Sequence, residues 1–319
     1  MARTRPGRSC PRHYRYSPAV FARAADLKAQ SLYIVGGLYG NPFALEAVLA
    51  MARREGATLV FNGDFNWFNV DPADFEGVNE TVLQHVALRG NVETEIAGED
   101  SGAGCGCAYP EWVADAEVER SNEILRRLRG TAGAYPELRA RLAVLPMHLV
   151  AEIGGLRIGI VHGDAESLAG WRFSQEALRE RPERARALLA EAAIDVFACT
   201  HTCLPVMQDF ATPRGTALIV NNGAAGMPNF RDTHFGLATR IASTPSTQAL
   251  YGTRLGATVV EAMPVRYDHD AWLNRFDCVW PAGSPASVSY RRRVASGPRY
   301  DVERALRTSS STGALSRAA

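Results

Sequence analysis

Four short apolar runs in this chain each stop at a small residue flanked by a polar side chain, and that repeated ending constrains the fold more than any other feature. Ala57 to Phe61 leads into Asn62-Gly63-Asp64, and Val86 to Arg89 into Gly90-Asn91. Leu156 to Val161 leads into His162-Gly163-Asp164, and Ile194 to Cys199 into Thr200-His201-Thr202-Cys203. Runs of this length read as buried strands. In an open α/β sheet, chemistry sits in the crevice beyond the carboxyl ends of the strands, and the glycines allow a sharp turn there. Asp64, Asn91, His162 and His201 are therefore expected to converge at one sheet edge. Two imidazoles, a carboxylate and an amide oxygen form a mixed N/O set suited to Mn, Zn, Fe, Ni or Co. Singly, each has a structural reading: Asp64 a helix cap, Asn91 a turn former, His162 a strand-end donor, His201 a buried imidazole satisfied by a carbonyl. The four together, in this order, point to a site.

The rest of the chain reads as alternating elements. Ser31 to Val35 is a strand running into Gly36-Gly37-Leu38-Tyr39-Gly40-Asn41, and Pro42 opens a helix that Gly56 ends. Helices are expected over Phe75–His85, Glu111–Leu128, Pro136–Leu142, Ser174–Ala192 and Asp268–Phe276. Leu149–Ile153 and Leu156–Val161 form a strand pair around Gly154-Gly155. Residues 92–110 are rich in glycine and acid without periodicity and read as a loop. After residue 200 the pattern turns to strands: Ala217–Val220, Phe235–Ile241 and Ala257–Met263. The expected organisation is an Arg-rich arm over 1–30, with a short helix at Pro18–Leu27, and a main domain over 31–276 carrying an insertion at 92–145. An Arg-rich extension follows over 277–319, with a disordered end.

Composition narrows the function classes. With 46% apolar and 22% charged residues the chain is an ordinary globular protein, and a net charge of +1 gives no electrostatic reason to expect nucleic acid. Lys28 is the single lysine among 35 basic residues, so the arginines reflect base composition more than surface chemistry. No apolar run approaches the roughly 18 residues needed to span a bilayer, and the basic N-terminus lacks the apolar core of a secretory signal. Six cysteines in a chain of 319 residues are read as reduced thiols and a cytoplasmic location is expected.

At this point the sequence resembles the calcineurin-like metallophosphoesterases, nearest the small bacterial phosphodiesterases and phosphatases. Gly63-Asp64, Gly90-Asn91-Val92-Glu93, Val161-His162-Gly163-Asp164 and Cys199-Thr200-His201-Thr202-Cys203-Leu204-Pro205 match successive blocks of that family. Asn221-Asn222-Gly223-Ala224-Ala225-Gly226 and Val265-Arg266-Tyr267-Asp268 resemble two later ones. The resemblance implies a four-layer α/β/β/α sandwich and hydrolysis of a small-molecule phosphomonoester or phosphodiester by metal-bound hydroxide. It makes Asp64, Asn91, His162 and His201 catalytic residues and metal ligands, with Asn91 also placing the phosphate. The backbone amides of Gly223 to Gly226 are expected to line the phosphate approach, and Asp164 to support a ligating histidine.

The departures bear on the first of the family's two metal sites. The place of its first Asp-x-His block reads Gly37-Leu38-Tyr39, and the last His of its Gly-His-Thr-His block is Cys203. The histidine frequent after Gly-Asn is Val92. Three outcomes stay open. The site runs on one divalent ion, Mn, Zn, Fe or Ni, or it is rebuilt with Tyr39, Cys203 and the Cys105-Gly106-Cys107 loop. Otherwise it is inactive, a binding or regulatory module. One ion is expected rather than two. Neither membrane nor nucleic acid is an expected partner, though the Arg291-Arg292-Arg293 run could fold over the cleft and offer arginine to a phosphate.

Overall fold

The computed structural model describes residues 5–99 and 101–309. The strands in chain order are β1 (Leu27–Lys28), β2 (Ser31–Val35), β3 (Thr58–Asn62), β4 (Val86–Leu88), β5 (His148–Ile153), β6 (Leu156–Val161) and β7 (Val196–Cys199). They continue with β8 (Val206–Thr212), β9 (Gly215–Asn221), β10 (Phe235–Ala242), β11 (Tyr251–Leu255), β12 (Thr258–Arg266) and β13 (Leu306–Arg307). The helices are α1 (Pro42–Glu55), α2 (Pro72–Val82), α3 (Asn91–Ala97), α4 (Asp115–Gly133) and α5 (Pro136–Ala143), then α6 (Gln175–Glu180), α7 (Pro182–Ala192), α8 (His269–Val279) and α9 (Pro285–Ser296).

The strands form two mixed sheets. A seven-stranded sheet has the order β1-β5-β6-β7-β9-β8-β13, and a six-stranded sheet the order β11-β12-β10-β2-β3-β4. The pairs β2/β3, β3/β4, β6/β7 and β7/β9 are parallel, so their carboxyl ends point the same way within each sheet.

Side-chain alternation builds the layers. In β2, Leu32 and Ile34 face the opposite sheet while Tyr33 and Val35 face helices. In β7, Val196 and Ala198 enter the inter-sheet core while Phe197 and Cys199 meet the α7 side. Strands buried on both faces need apolar residues at every position, which is why these runs read as continuous rather than alternating. Three cores thus separate four layers, and the chain is a four-layer α/β/β/α sandwich. Burying each large side chain in them stabilises by roughly 1.5–3 kcal/mol.

Helix α1 shows the local logic. Asn41 caps it by accepting from the Ala44 amide at 3.0 Å, Pro42 occupies the first turn, and Gly56 ends it in the left-handed region at φ 64°. Ala44, Leu45, Val48, Met51 and Ala52 form its buried stripe.

Several expectations change on contact with the structure. Asn91–Ala97 is a helix, not loop; seven residues with four polar or acidic side chains give no readable period. The Ser174–Ala192 helix is two helices, because Pro182 cannot continue the first. The N-terminal segment read as an arm contains a short 3-10 turn at Pro18–Phe21 rather than a longer helix, and its Tyr14 and Phe21 are fully buried. The C-terminal extension contributes α9, whose Ala286 and Val294 are buried, and strand β13. The expected disordered end lies outside the described residues. All six cysteines are free thiols, and among the described residues no helix is long and apolar enough to cross a membrane.

Candidate metal centre

Each of the four strand-end residues leaves its strand through a different device. Gly63 turns at φ 78° and Asp64 follows at φ 52°. A Cβ on Gly63 would lie 2.5 Å from the Gly90 nitrogen and 2.7 Å from His162 Nδ1, so only glycine lets these segments approach so closely. Asn91 is the first residue of α3, after Gly90. His162 directly follows β6, and His201 lies two residues beyond β7. All four side chains are buried.

They meet around one point. His162 Nε2 is 3.3 Å from Asp64 Oδ2, 3.1 Å from Asn91 Oδ1 and 3.1 Å from His201 Nδ1. The outer bonds assign which atoms face inward. The other ring nitrogen of His162 is 3.0 Å from the Asn62 carbonyl, and His201 Nε2 is 3.0 Å from the Cys107 carbonyl. A carbonyl only accepts, so those nitrogens carry the protons and His162 Nε2 and His201 Nδ1 are left with lone pairs. Asn91 donates through Nδ2 to the Cys105 carbonyl at 2.9 Å, which turns its oxygen inward. Four lone-pair atoms therefore point at one another.

That arrangement needs a positive charge at its centre. Asp64, His162 and His201 present ligand atoms that all lie within 4.8 Å of each other and could hold a metal ion. For N/O ligands about 2.0–2.2 Å from a cation, neighbouring ligand atoms sit about 3–3.5 Å apart, so the observed 3.1–3.3 Å spacings fit one. Protons are the alternative. Burial opposes charge on His162, but the Asp64 carboxylate beside it raises its pKa. Burial, then the charge of His162, pushes His201 down to about 4. Burial would raise Asp64, yet the neighbouring imidazole holds it below the usual carboxylate range.

A buried carboxylate organises the turns beneath. Glu93 accepts from the Asp64 amide at 2.7 Å, the Gly90 amide at 3.0 Å and the Asn66 amide at 3.2 Å. Burial, then the charge of Asp64, lifts its carboxyl to about 7. Glu93 was legible as part of the Gly90-Asn91-Val92-Glu93 block, but its role was not.

The remaining expected residues divide. Tyr39 and Cys203 line the same cavity as Asp64, with Tyr39 Oη 2.6 Å from Cys203 Sγ, and Cys203 donates to the His201 carbonyl at 3.3 Å. Desolvation raises both groups. Cys105 and Cys107 serve through their carbonyls, which hold Asn91 and His201, and the Trp171 indole also donates to the Cys107 carbonyl at 3.0 Å. Asp164 faces its own turn, accepting from the Glu166, Ser167 and Arg172 amides, so it does not support a ligating histidine.

The phosphate-lining reading of Gly223 does not hold. Its amide donates to Asn221 Oδ1 at 2.8 Å, and those of Ala224, Ala225 and Gly226 donate to Asn229, Gly36 and Gly37. Amides already paired inside the fold cannot cradle an anion.

The cluster opens into a cavity of about 380 Å³ lined by Asp64, Asn91, His201, several aromatic side chains and Arg293 of α9. Trp112 stands at its edge, 70% exposed. The sequence allowed the Arg291-Arg292-Arg293 run to reach the cleft, and the packing of α9 on α4 and α8 brings Arg293 of that run to it.

Comparison with known proteins bears on the fold. No protein-family model matches the sequence, and no curated protein matches it. Solved structures do. A metallophosphoesterase from Sphaerobacter thermophilus superposes with a TM-score of 0.54 at 18% identity, covering 84% of this chain and 100% of that one. The hypothetical protein PH1004 from Pyrococcus horikoshii OT3 superposes with a TM-score of 0.56, also at 18% identity, covering 85% of this chain and 99% of that one. The sandwich is of the metallophosphoesterase type.

Proposed function

We propose that this protein is a metal-dependent phosphoesterase acting on a small phosphomonoester or phosphodiester. The observation that carries the reading is the inward convergence of four lone-pair atoms at the mouth of a metallophosphoesterase-type sandwich, with His162, His201 and Asn91 held by outer hydrogen bonds and Asp64 Oδ1 accepting from the Val92 amide at 3.1 Å. Asp64, Asn91, His162 and His201 would hold one divalent transition ion, Mn, Zn, Fe or Ni. Such an ion acidifies water to near neutral pKa and polarises the phosphoryl group.

The chain's own contributions follow from its bonds. Asn62 and Cys107 fix the imidazole tautomers so that neutral nitrogens face the centre. Asn91, held by Cys105, presents an oxygen that does not change charge with pH. In the reaction a bond forms between water oxygen and phosphorus, the ester P–O bond breaks, and the departing oxygen takes up a proton. Val92, fully buried and apolar, supplies no proton beside Asn91, so esters with acidic leaving groups, such as aryl phosphates, are the favoured probes.

The test is a panel of aryl phosphomonoesters and phosphodiesters with Mn, Mg, Zn and Ni, with bound metal measured alongside. Wild-type protein should turn over at least one ester, and Asp64→Asn should lose both metal and turnover. Full activity in that variant refutes the assignment. Normal metal content without turnover would move the reading to a binding module on the same scaffold.

A further inference from the structure

Among the described residues, no second group of His, Cys, Asp or Glu side chains that could hold an ion is found beside Asp64. The groups the sequence offered for one are the Tyr39 phenol and the Cys203 thiol, which line the same cavity and contact each other at 2.6 Å. An ion bound to both, at about 2.0 Å from oxygen and 2.3 Å from sulfur, would hold them about 3.5 Å apart. Their hydrogen-bonding directions are also used, since Cys203 Sγ donates to the His201 carbonyl.

The positive charge in that cavity comes from the protein. Arg293 lines the same cavity as Asp64, Asn91 and His201, and is the single Arg or Lys among the residues lining it. Its Nη2 donates to the Cys203 carbonyl. Its Nε is buried and has no hydrogen-bond partner, and no carboxylate of the described residues pairs with the guanidinium. A half-buried arginine without a counter-anion is costly unless an anion arrives. The helix carrying it is firmly seated: Arg120 donates to Ser289 at 2.6 Å, His269 bonds the Val294 carbonyl at 2.9 Å, and Val294 is fully buried.

We infer that Arg293 takes the part of a second cation, its guanidinium clamping the phosphoryl oxygens of an ester whose phosphorus sits against the Asp64/Asn91/His162/His201 centre. The inference rests on the phosphoesterase reading of that centre. A guanidinium offers two parallel N–H donors to a phosphate, so it substitutes for a metal in neutralising charge while adding a fixed direction. The substrate must then expose at least two unesterified phosphoryl oxygens or one doubly shared, which both mono- and diesters do.

The experiment titrates inorganic phosphate calorimetrically into Mn-loaded full-length wild type, Arg293→Gln and Arg293→Lys, with metal content and melting temperature measured in parallel. One ion per chain is expected in all three. Phosphate affinity should fall roughly ten- to a hundredfold in Arg293→Gln, the range that charge-assisted hydrogen bonds command, with Arg293→Lys between. Unchanged affinity in Arg293→Gln, or two ions per wild-type chain, overturns the inference. Should Arg293→Gln misfold, phenylglyoxal modification of wild type mapped by mass spectrometry replaces it: phosphate must protect Arg293, and equal modification with and without phosphate overturns the clamp. If no ester is hydrolysed while phosphate binding still depends on Arg293, the hydrolase reading falls and the clamp stands.

Discussion

Gly106 offers a direct measurement of how the loop after α3 holds the centre. It has φ +67°, and a Cβ there would lie 2.3 Å from the Tyr14 hydroxyl, 3.0 Å from Glu95 Cγ and 3.3 Å from Asn91 Cβ. Gly102 on the same loop has φ +74°, but a Cβ there meets nothing within 4 Å. Alanine at either glycine suffers the left-handed backbone, at about 1–2 kcal/mol. Only Gly106→Ala must also displace Tyr14, which donates to Glu95 at 2.7 Å in a fully buried pair, and overpacking of that kind costs about 1–3 kcal/mol. Gly106→Ala is therefore expected to lose about 2–5 kcal/mol in urea denaturation and Gly102→Ala about 1–2 kcal/mol. Because the carbonyls on either side of Gly106 orient Asn91 and His201, Gly106→Ala should also weaken Mn binding, roughly 10- to 100-fold, as loss of such supporting bonds does elsewhere. Gly102→Ala should bind Mn normally. Equal destabilisation by the two variants, or normal Mn affinity in Gly106→Ala, refutes the argument that the loop positions the ligands.

Two further outcomes test the six-stranded sheet. Arg240 is buried on β10 and pairs with Glu55 and with the equally buried Glu261; Arg240→Met should cost about 3–5 kcal/mol in thermal or urea unfolding, because it strands Glu261 without a counter-charge, and a loss under 1 kcal/mol would show the network is better solvated than it looks. Although partial burial opposes it, hydrogen bonds from Arg240, Ser31 and Tyr33 hold Glu55 down to about 2. A carboxyl lowered on folding stabilises above its unfolded value of about 4.3 and loses that contribution as pH falls toward 2. Glu55→Gln should therefore flatten the stability–pH curve in that acid window and leave its shape above pH 5 unchanged; an unaltered acid limb would contradict the assignment.

What could be read from residues alone followed locality. Strands β2, β3 and β6 were visible because strands buried on both faces are mostly apolar, and α1 because Pro42 and Gly56 mark its two ends. The four inward-facing ligand candidates were visible because each lies within three residues of the end of a strand. Features set by distant contacts were not. Nothing near Cys105 or Cys107 announces that their carbonyls would meet Asn91 and His201, or that the Cys107 thiol would also accept from the Asn91 amide. Gly223 looked like an anion cradle because its neighbours are small, but Asn221 and Asn229 already occupy the amides. Strand β8 and strand β11 carry polar residues at irregular intervals and went unread. The Arg291–Arg293 run could be read as offering an arginine to the cleft but not which one; only the helix that sends Arg293 inward while Arg291 pairs with Asp277 distinguishes the two.

The two-residue strands β1 and β13 lie at opposite margins of the seven-stranded sheet, each added in parallel to a longer neighbour. Unpaired margins invite other chains to join by main-chain bonding, and short strands placed there discourage it. Residues 27–28 and 306–307 thus act as selvedges on the fabric, and a protein trimmed inside either one would be prone to self-association before it lost its fold.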